Sequence, residues 1–139
     1  MADEQKSRAH LEDLVRNAED LLAALELPYR VVDVCTGDMG RGQVKKYDLE
    51  AWMPSRKGYG ETHSASMFGD FQARRLDLRY RDGAKKVRHC HTLNNTVAAS
   101  ARMLIAILEN HQTDDGRVHV PAPLMGYLGG RAYLGRRLG

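Results

Sequence analysis

The stretch NNTVAASARMLIAILEN (94–110) places one guanidinium, Arg102, inside a run that is apolar or small from Val97 to Leu108. A helix apolar on every side is normally buried, and an arginine is almost never fully buried without a partner. Arg102 therefore requires an anion, from the protein or from a ligand. In one reading it snorkels to the surface or pairs with an acid such as Glu50. In the other, this planar, permanently charged group clamps phosphate oxygens in a buried site. Glu109 lies a heptad on, but Ile105 and Ala106 interrupt any polar stripe between the two.

Further along the chain, Asp38, Asp48, Glu50 and Glu61 are possible acids, bases or magnesium ligands, and no single one stands out. Glu61 and Ser64 form a more specific pair. On a regular strand they lie on opposite faces; a bend or bulge lets them chelate one hard cation through oxygen. His89, Cys90 and His91 raise the question of a metal, but three adjacent strand residues cannot all close on one zinc ion. Cys35 has no histidine or acid tied to it by spacing and reads as a small structural cysteine.

These groups need elements to carry them. Leu11, Leu14, Val15, Ala18, Leu21, Leu22 and Leu25 recur at helical spacing, predicting an amphipathic helix over 7–26 with Ser7 as a possible N-cap. Pro28 follows its end. Strands are expected at 29–35, at 46–53 (Tyr47, Leu49, Ala51 and Met53 against Asp48, Glu50 and Trp52), at 61–66, at 75–81 and at 87–93, with short turn-rich connections. A helix over 96–111 and a turn, short strand and Pro-started turn complete the chain, with a basic, frayed terminus. The expected fold class is α+β: an antiparallel sheet flanked by helices. The 139 residues suffice for one domain with a core. The composition, 42% apolar and 28% charged, excludes a disordered tail. Arg102 breaks the longest apolar run, so no membrane span is expected. The N-terminus lacks a signal-peptide core, and two cysteines make no disulfide framework. A soluble, cytoplasmic protein is the expectation. The net charge of +3 favours an anionic partner only weakly.

Taken in order, LPYRVVDVCTGDMG, KYDLEAWMPS, YGETHSASMFGDFQARR and HTLNNTVAASARMLIAILENHQ closely resemble the C-terminal half of the catalytic domain of the seryl-tRNA synthetases, class II enzymes. The resemblance runs from about Leu11 to Gly130 and implies a partial class II catalytic fold over 1–130, with 131–139 a basic tail. The last block resembles the signature called motif 3, and its arginine falls on Arg102. The resemblance implies a serine–tRNA ligase, which joins serine to ATP and passes the seryl group to serine tRNA. It implies that Arg102 holds the γ-phosphate of ATP as the catalytic clamp. It further implies that Glu61 and Ser64 help hold magnesium with ATP, that Thr62 and His63 lie beside the nucleotide, and that Thr96 contacts substrate serine.

Departures accompany the likeness. His63 and Met67 stand in HSASM where the family reads SSCSN, and Asn95, Val97 and Ala101 replace bacterial glycines. The tRNA-binding arm, the dimer-building motif 1 and the α-phosphate arginine of motif 2 have no counterpart in these residues. The resemblance thus implies a fragment, homodimeric in the full enzyme, with an uncovered core that drives self-association. The alternative is a non-catalytic, synthetase-derived binding module. A stand-alone transferase loading a carrier protein needs a complete ATP site and is disfavoured.

Overall fold

The computed structural model describes residue 3 and residues 6–136. Helix α1 (Ser7–Ala24) opens the chain. It buries Leu11, Val15, Ala18 and Leu22, one stripe at three- and four-residue spacing. Its C-terminus closes in a Schellman turn: Leu27 N–H reaches the Leu22 carbonyl and Glu26 N–H the Ala23 carbonyl, with Glu26 at φ 56°. Ser7 is the first helical residue instead of the cap. The residue before it, Lys6, makes no side-chain capping bond, while Ser7 is buried with its Oγ 3.0 Å from His91 Nδ1.

Strands β1 (Tyr29–Asp33), β2 (Lys45–Met53) and β3 (Gly58–Met67) form an antiparallel meander, and β6 (Leu93–Asn95) adds to β3, giving the order β1-β2-β3-β6. The alternation expected of β2 is present: Leu49, Ala51 and Met53 are buried, and Asp48, Glu50 and Trp52 stand on the opposite face. The buried face meets α1 and helix α3 (Ser100–Asn110), whose Met103 and Ala106 join Leu11, Leu22, Leu49 and Ala65 in one core. Gly60 lies against the end of the Met53 side chain, which would have to shift to admit a Cβ there.

Between β3 and β6 the structure departs from the expected strands. Residues 71–76 form a short helix, α2 (Phe71–Leu76), and only Arg79–Arg81 (β4) is extended, paired with β5 (Val87–His89). The run 87–93 is not one strand. It breaks after His89, and its two ends belong to different sheets, with Cys90 buried between them and its Sγ 3.6 Å from the Leu78 carbonyl. Cys35 is exposed and lies 3.9 Å from Asp38 Oδ2, contrary to the buried structural role expected of it. The C-terminal region is paired instead of frayed: β7 (Val118–His119) pairs with β8 (Tyr133–Leu134), with α4 (Ala122–Met125) between them. Residues 137–139 of the basic tail lie outside the described residues. Among those described, no helix is long and apolar enough to cross a membrane.

The largest correction concerns α3. It is not buried all round: Leu104, Ile105 and Leu108 are 58%, 42% and 44% exposed. With Ala101 they make a continuous apolar stripe at i, i+3, i+4 and i+7 on the side away from the core.

Candidate functional site

The face of the sheet opposite the core is polar. Cross-strand partners share a face, so the register reads off its rows directly. Arg30, Glu50 and Glu61 form one row, Val32, Asp48 and Ser64 the next, and Lys46, Ser66 and Asn94 a third. Extending the Ser66–Asn94 register by two residues sets Thr96 opposite Ser64, and Thr96 N–H does reach the Ser64 carbonyl at 3.3 Å. Thr96 is exposed there.

Glu61 and Ser64 lie on this one face because β3 carries a bulge. Leu49 pairs with His63 while Glu50 pairs with Glu61, so Thr62 is an extra residue with no partner across the ladder. The bulge shifts the alternation by one. Glu61 stays outward, Thr62 and His63 both turn into the core, and Ser64 comes outward again. The geometry that the sequence left open, opposite faces or a shared one, is thus resolved as shared.

Thr62 and His63 are 0% and 1% exposed. Their side chains do not line the polar face, because the bulge has rotated both inward; only their backbone runs along it. Thr62 Oγ1 donates to the Leu49 carbonyl at 3.1 Å. That uses its only proton, so the 3.0 Å contact with His63 Nδ1 is an N–H donated to Thr62 Oγ1. His63 Nε2 is buried with no hydrogen-bond partner among the described residues. Burial pushes the imidazole below its ordinary pKa, partly offset by the nearby Val97 backbone.

Helix α3 is attached at the same place. Ala99 N–H donates to the Thr62 carbonyl at 3.1 Å, so the helix starts beside the bulge. One turn on, Arg102 Nη1 lies 3.7 Å from Glu61 Oε1. The anion nearest Arg102 is therefore a protein carboxylate, the bland outcome in kind, but Glu61 instead of Glu50. Nor is the arginine buried, since its side chain is 46% exposed and that of Glu61 39%. A pair this long and this wet contributes about 0–1 kcal/mol, and leaves most of the guanidinium's donors open to another anion.

Three arginines between β3 and β6 are satisfied locally. Arg74 pairs with Asp70, Arg79 with Asp77, and Arg75 lies 3.5 Å over the Phe71 ring. Glu50 is held by Arg30 at 2.6 Å, and Arg30 stacks on Tyr59. Sequence reasoning gave Asp48 no special standing, yet it sits mid-face between Ser64 and Lys46. Lys46 Nζ is 3.0 Å from its Oδ2, while its Oδ1 is buried with no hydrogen-bond partner among the described residues. The signal available was its register opposite the expected ligand Ser64, which requires knowing the bulge. Among the described residues no group of three or more His, Cys, Asp or Glu is placed to hold a metal by itself. The oxygen donors Glu61 and Ser64 suit a hard cation that takes its remaining ligands from phosphate and water.

Residues 1–111 match the family model described as tRNA synthetase class II core domain (G, H, P, S and T). The chain is 58% identical to a serine–tRNA ligase of Deinococcus radiodurans over 135 residues, 97% of this chain and 32% of that protein. It is 55% identical to the serine–tRNA ligase of Pyrococcus furiosus over 119 residues, 85% of this chain and 26% of that one. Among solved structures it is similar to seryl-tRNA synthetase from Pyrococcus horikoshii complexed with ATP. The TM-score is 0.92 at 46% identity, over 99% of this chain and 31% of that chain. A cytoplasmic serine–tRNA ligase from Naegleria fowleri in complex with AMP gives 0.85 at 39% identity, over 94% of this chain and 30% of that chain. The chain thus spans about a third of the length of these relatives. With the antiparallel sheet, the motif block around Arg102 and the matched model in agreement, the chain belongs to the class II tRNA synthetase core-domain family.

Proposed function

We propose that this chain is the part of a serine–tRNA ligase that forms one wall of the ATP site. The supporting observation is the bulge at Thr62, which brings Glu61 and Ser64 to one face with Arg102 3.7 Å from Glu61. In this reading Arg102 holds the terminal phosphate of ATP, and Thr96, exposed beside Ser64, hydrogen-bonds substrate serine. A hydroxyl there also discriminates against analogues lacking the substrate's OH. Glu61 and Ser64 hold Mg2+ together with the ATP oxygens, and the ion neutralises phosphate charge. Positioning and charge stabilisation then supply the rate of serine activation. The seryl group passes to serine tRNA in a homodimeric, cytoplasmic full-length enzyme, of which this chain supplies a third.

The deciding experiment combines the chain with a polypeptide carrying the remaining part of the catalytic domain, motifs 1 and 2 included, and measures serine-dependent ATP–pyrophosphate exchange. Exchange that R102M and E61Q each weaken sharply is the expected result. A stable assembled complex with no exchange overturns the reading. It would favour a non-catalytic binding module, for which the Arg102–Glu61 pairing within the chain is the specific support.

A further inference from the structure

The bulge needs something to hold it. An extra residue in a strand interrupts the ladder, and here it also turns two consecutive polar side chains into a core lined by Leu49, Ala51 and Ala65. Left alone, each of those polar groups would carry a desolvation penalty. They are instead joined in series: His63 Nδ1–H donates to Thr62 Oγ1, and Thr62 Oγ1–H donates to the Leu49 carbonyl at the point where the register shifts. The carbonyl of the same Thr62 receives Ala99 N–H, where α3 begins. One residue thereby ties together the β2 backbone, the histidine and the helix that carries Arg102.

From this we propose that Thr62 and His63 are positioning residues. Their hydrogen-bonded pair closes the bulge, fixing Glu61 against Ser64 on one side and against Arg102 on the other. Both side chains are buried and act through the backbone that aims Glu61. What that aim achieves chemically rests on the reading of the face as an ATP site, whereas the closure itself does not. The proposal also gives the departure of HSASM from the family pattern a physical content: the imidazole supplies the donor that orients the Thr62 hydroxyl.

Three variants separate closure from mere packing. T62V keeps the volume and removes the hydroxyl. H63N keeps an N–H donor at the Nδ1 position but leaves a cavity. H63L fills more of the space and has no donor. If the pair only fills the core, H63L is tolerated best and H63N worst. If it closes the bulge, the order at the bulge reverses. Amide exchange on the full chain is the first readout. We expect the amides of His63 and Ala99 to exchange roughly 10- to 100-fold faster in T62V and H63L, as for a lost buried hydrogen bond. H63N should stay near wild type there, and the β1–β2 amides should change little in all three. Bulge amides that exchange as in wild type in T62V and H63L overturn the proposal, as does a uniform acceleration of every strand. Broadening of the Glu61 and Ser64 amides by Mn2+ with ATP is the second readout. Its absence in the wild-type chain would count against the ATP reading and leave exchange to decide the closure. Joint broadening in wild type and H63N that becomes unequal in T62V supports both.

Discussion

Replacing Arg102 with methionine separates a structural ion pair from a ligand clamp. Among the described residues Arg102 has one acidic partner, Glu61, at 3.7 Å, and both side chains are about half exposed to water. Two unit charges at that separation attract by about 1 kcal/mol in bulk water. Exposed pairs retain no more than this once side-chain ordering is counted. R102M should therefore cost the chain less than about 1 kcal/mol, a shift of about 4 °C or less in Tm. A charge-assisted contact to a phosphate is worth more, about 1.5–3 kcal/mol. The same substitution should then weaken the ATP dependence of pyrophosphate exchange in the complemented enzyme by roughly 10- to 150-fold. Thermal unfolding of the isolated chain gives the first number and exchange against ATP concentration the second. R102K, which keeps the charge but loses the fork, should fall between. A loss of more than about 2 kcal/mol in stability with unchanged ATP dependence would refute the clamp and make Arg102 a structural residue.

Four further outcomes are expected. L22A removes a fully buried side chain and should cost about 2–5 kcal/mol in chemical denaturation. L104Q with L108Q alters the exposed stripe of α3; stability should change by less than about 1 kcal/mol, while the self-association expected of the isolated chain falls in sedimentation. E26G relieves a left-handed residue at φ 56° and should stabilise by up to about 1 kcal/mol. Asp115 is held well below the usual carboxylate range by hydrogen bonds from Arg117, then from Thr113. Because its folded pKa lies below its unfolded one, its stabilisation is complete above the unfolded value and is lost as pH falls through the folded value. The amide of Gly116, within that turn, should keep its exchange protection down to strongly acidic pH, and D115N should remove that pH dependence.

The sheet meander and the first helix were legible because their periods are clean. Leu11 to Leu25 repeats at helical spacing, and Tyr47 to Met53 alternates without error. The stretch from 71 to 93 was not. Leu76, Leu78 and Tyr80 mimic strand alternation, but Leu76 ends a helix and is 74% exposed. His89 to Leu93 has strand composition yet crosses between two sheets, a tertiary fact with no local signal. The misjudged burial of α3 has a simple cause. Apolar character shows that a face is suited to burial, not that its cover lies within the same 139 residues. At the site, the residue types were readable and their convergence was not. One extra residue in β3 decides whether Glu61 and Ser64 share a face, and it rests on a register that no short window contains.

The first helix made is fastened late. Its Leu14 carbonyl receives Asn95, its Leu25 carbonyl receives His111, and Ser7 meets His91, contacts spanning 81, 86 and 84 residues. At ribosomal speeds roughly 4 to 17 s separate synthesis of the two ends of the longest contact. Throughout that interval the Leu11–Leu22 ridge can rest on β2 and β3, but the Met103 and Ala106 side of the same core stays uncovered. The β1–β2–β3 meander meanwhile needs only near neighbours to form. A pause or truncation before α3 would leave the nascent chain with its meander and first helix in place but one flank of the shared core open to another protein.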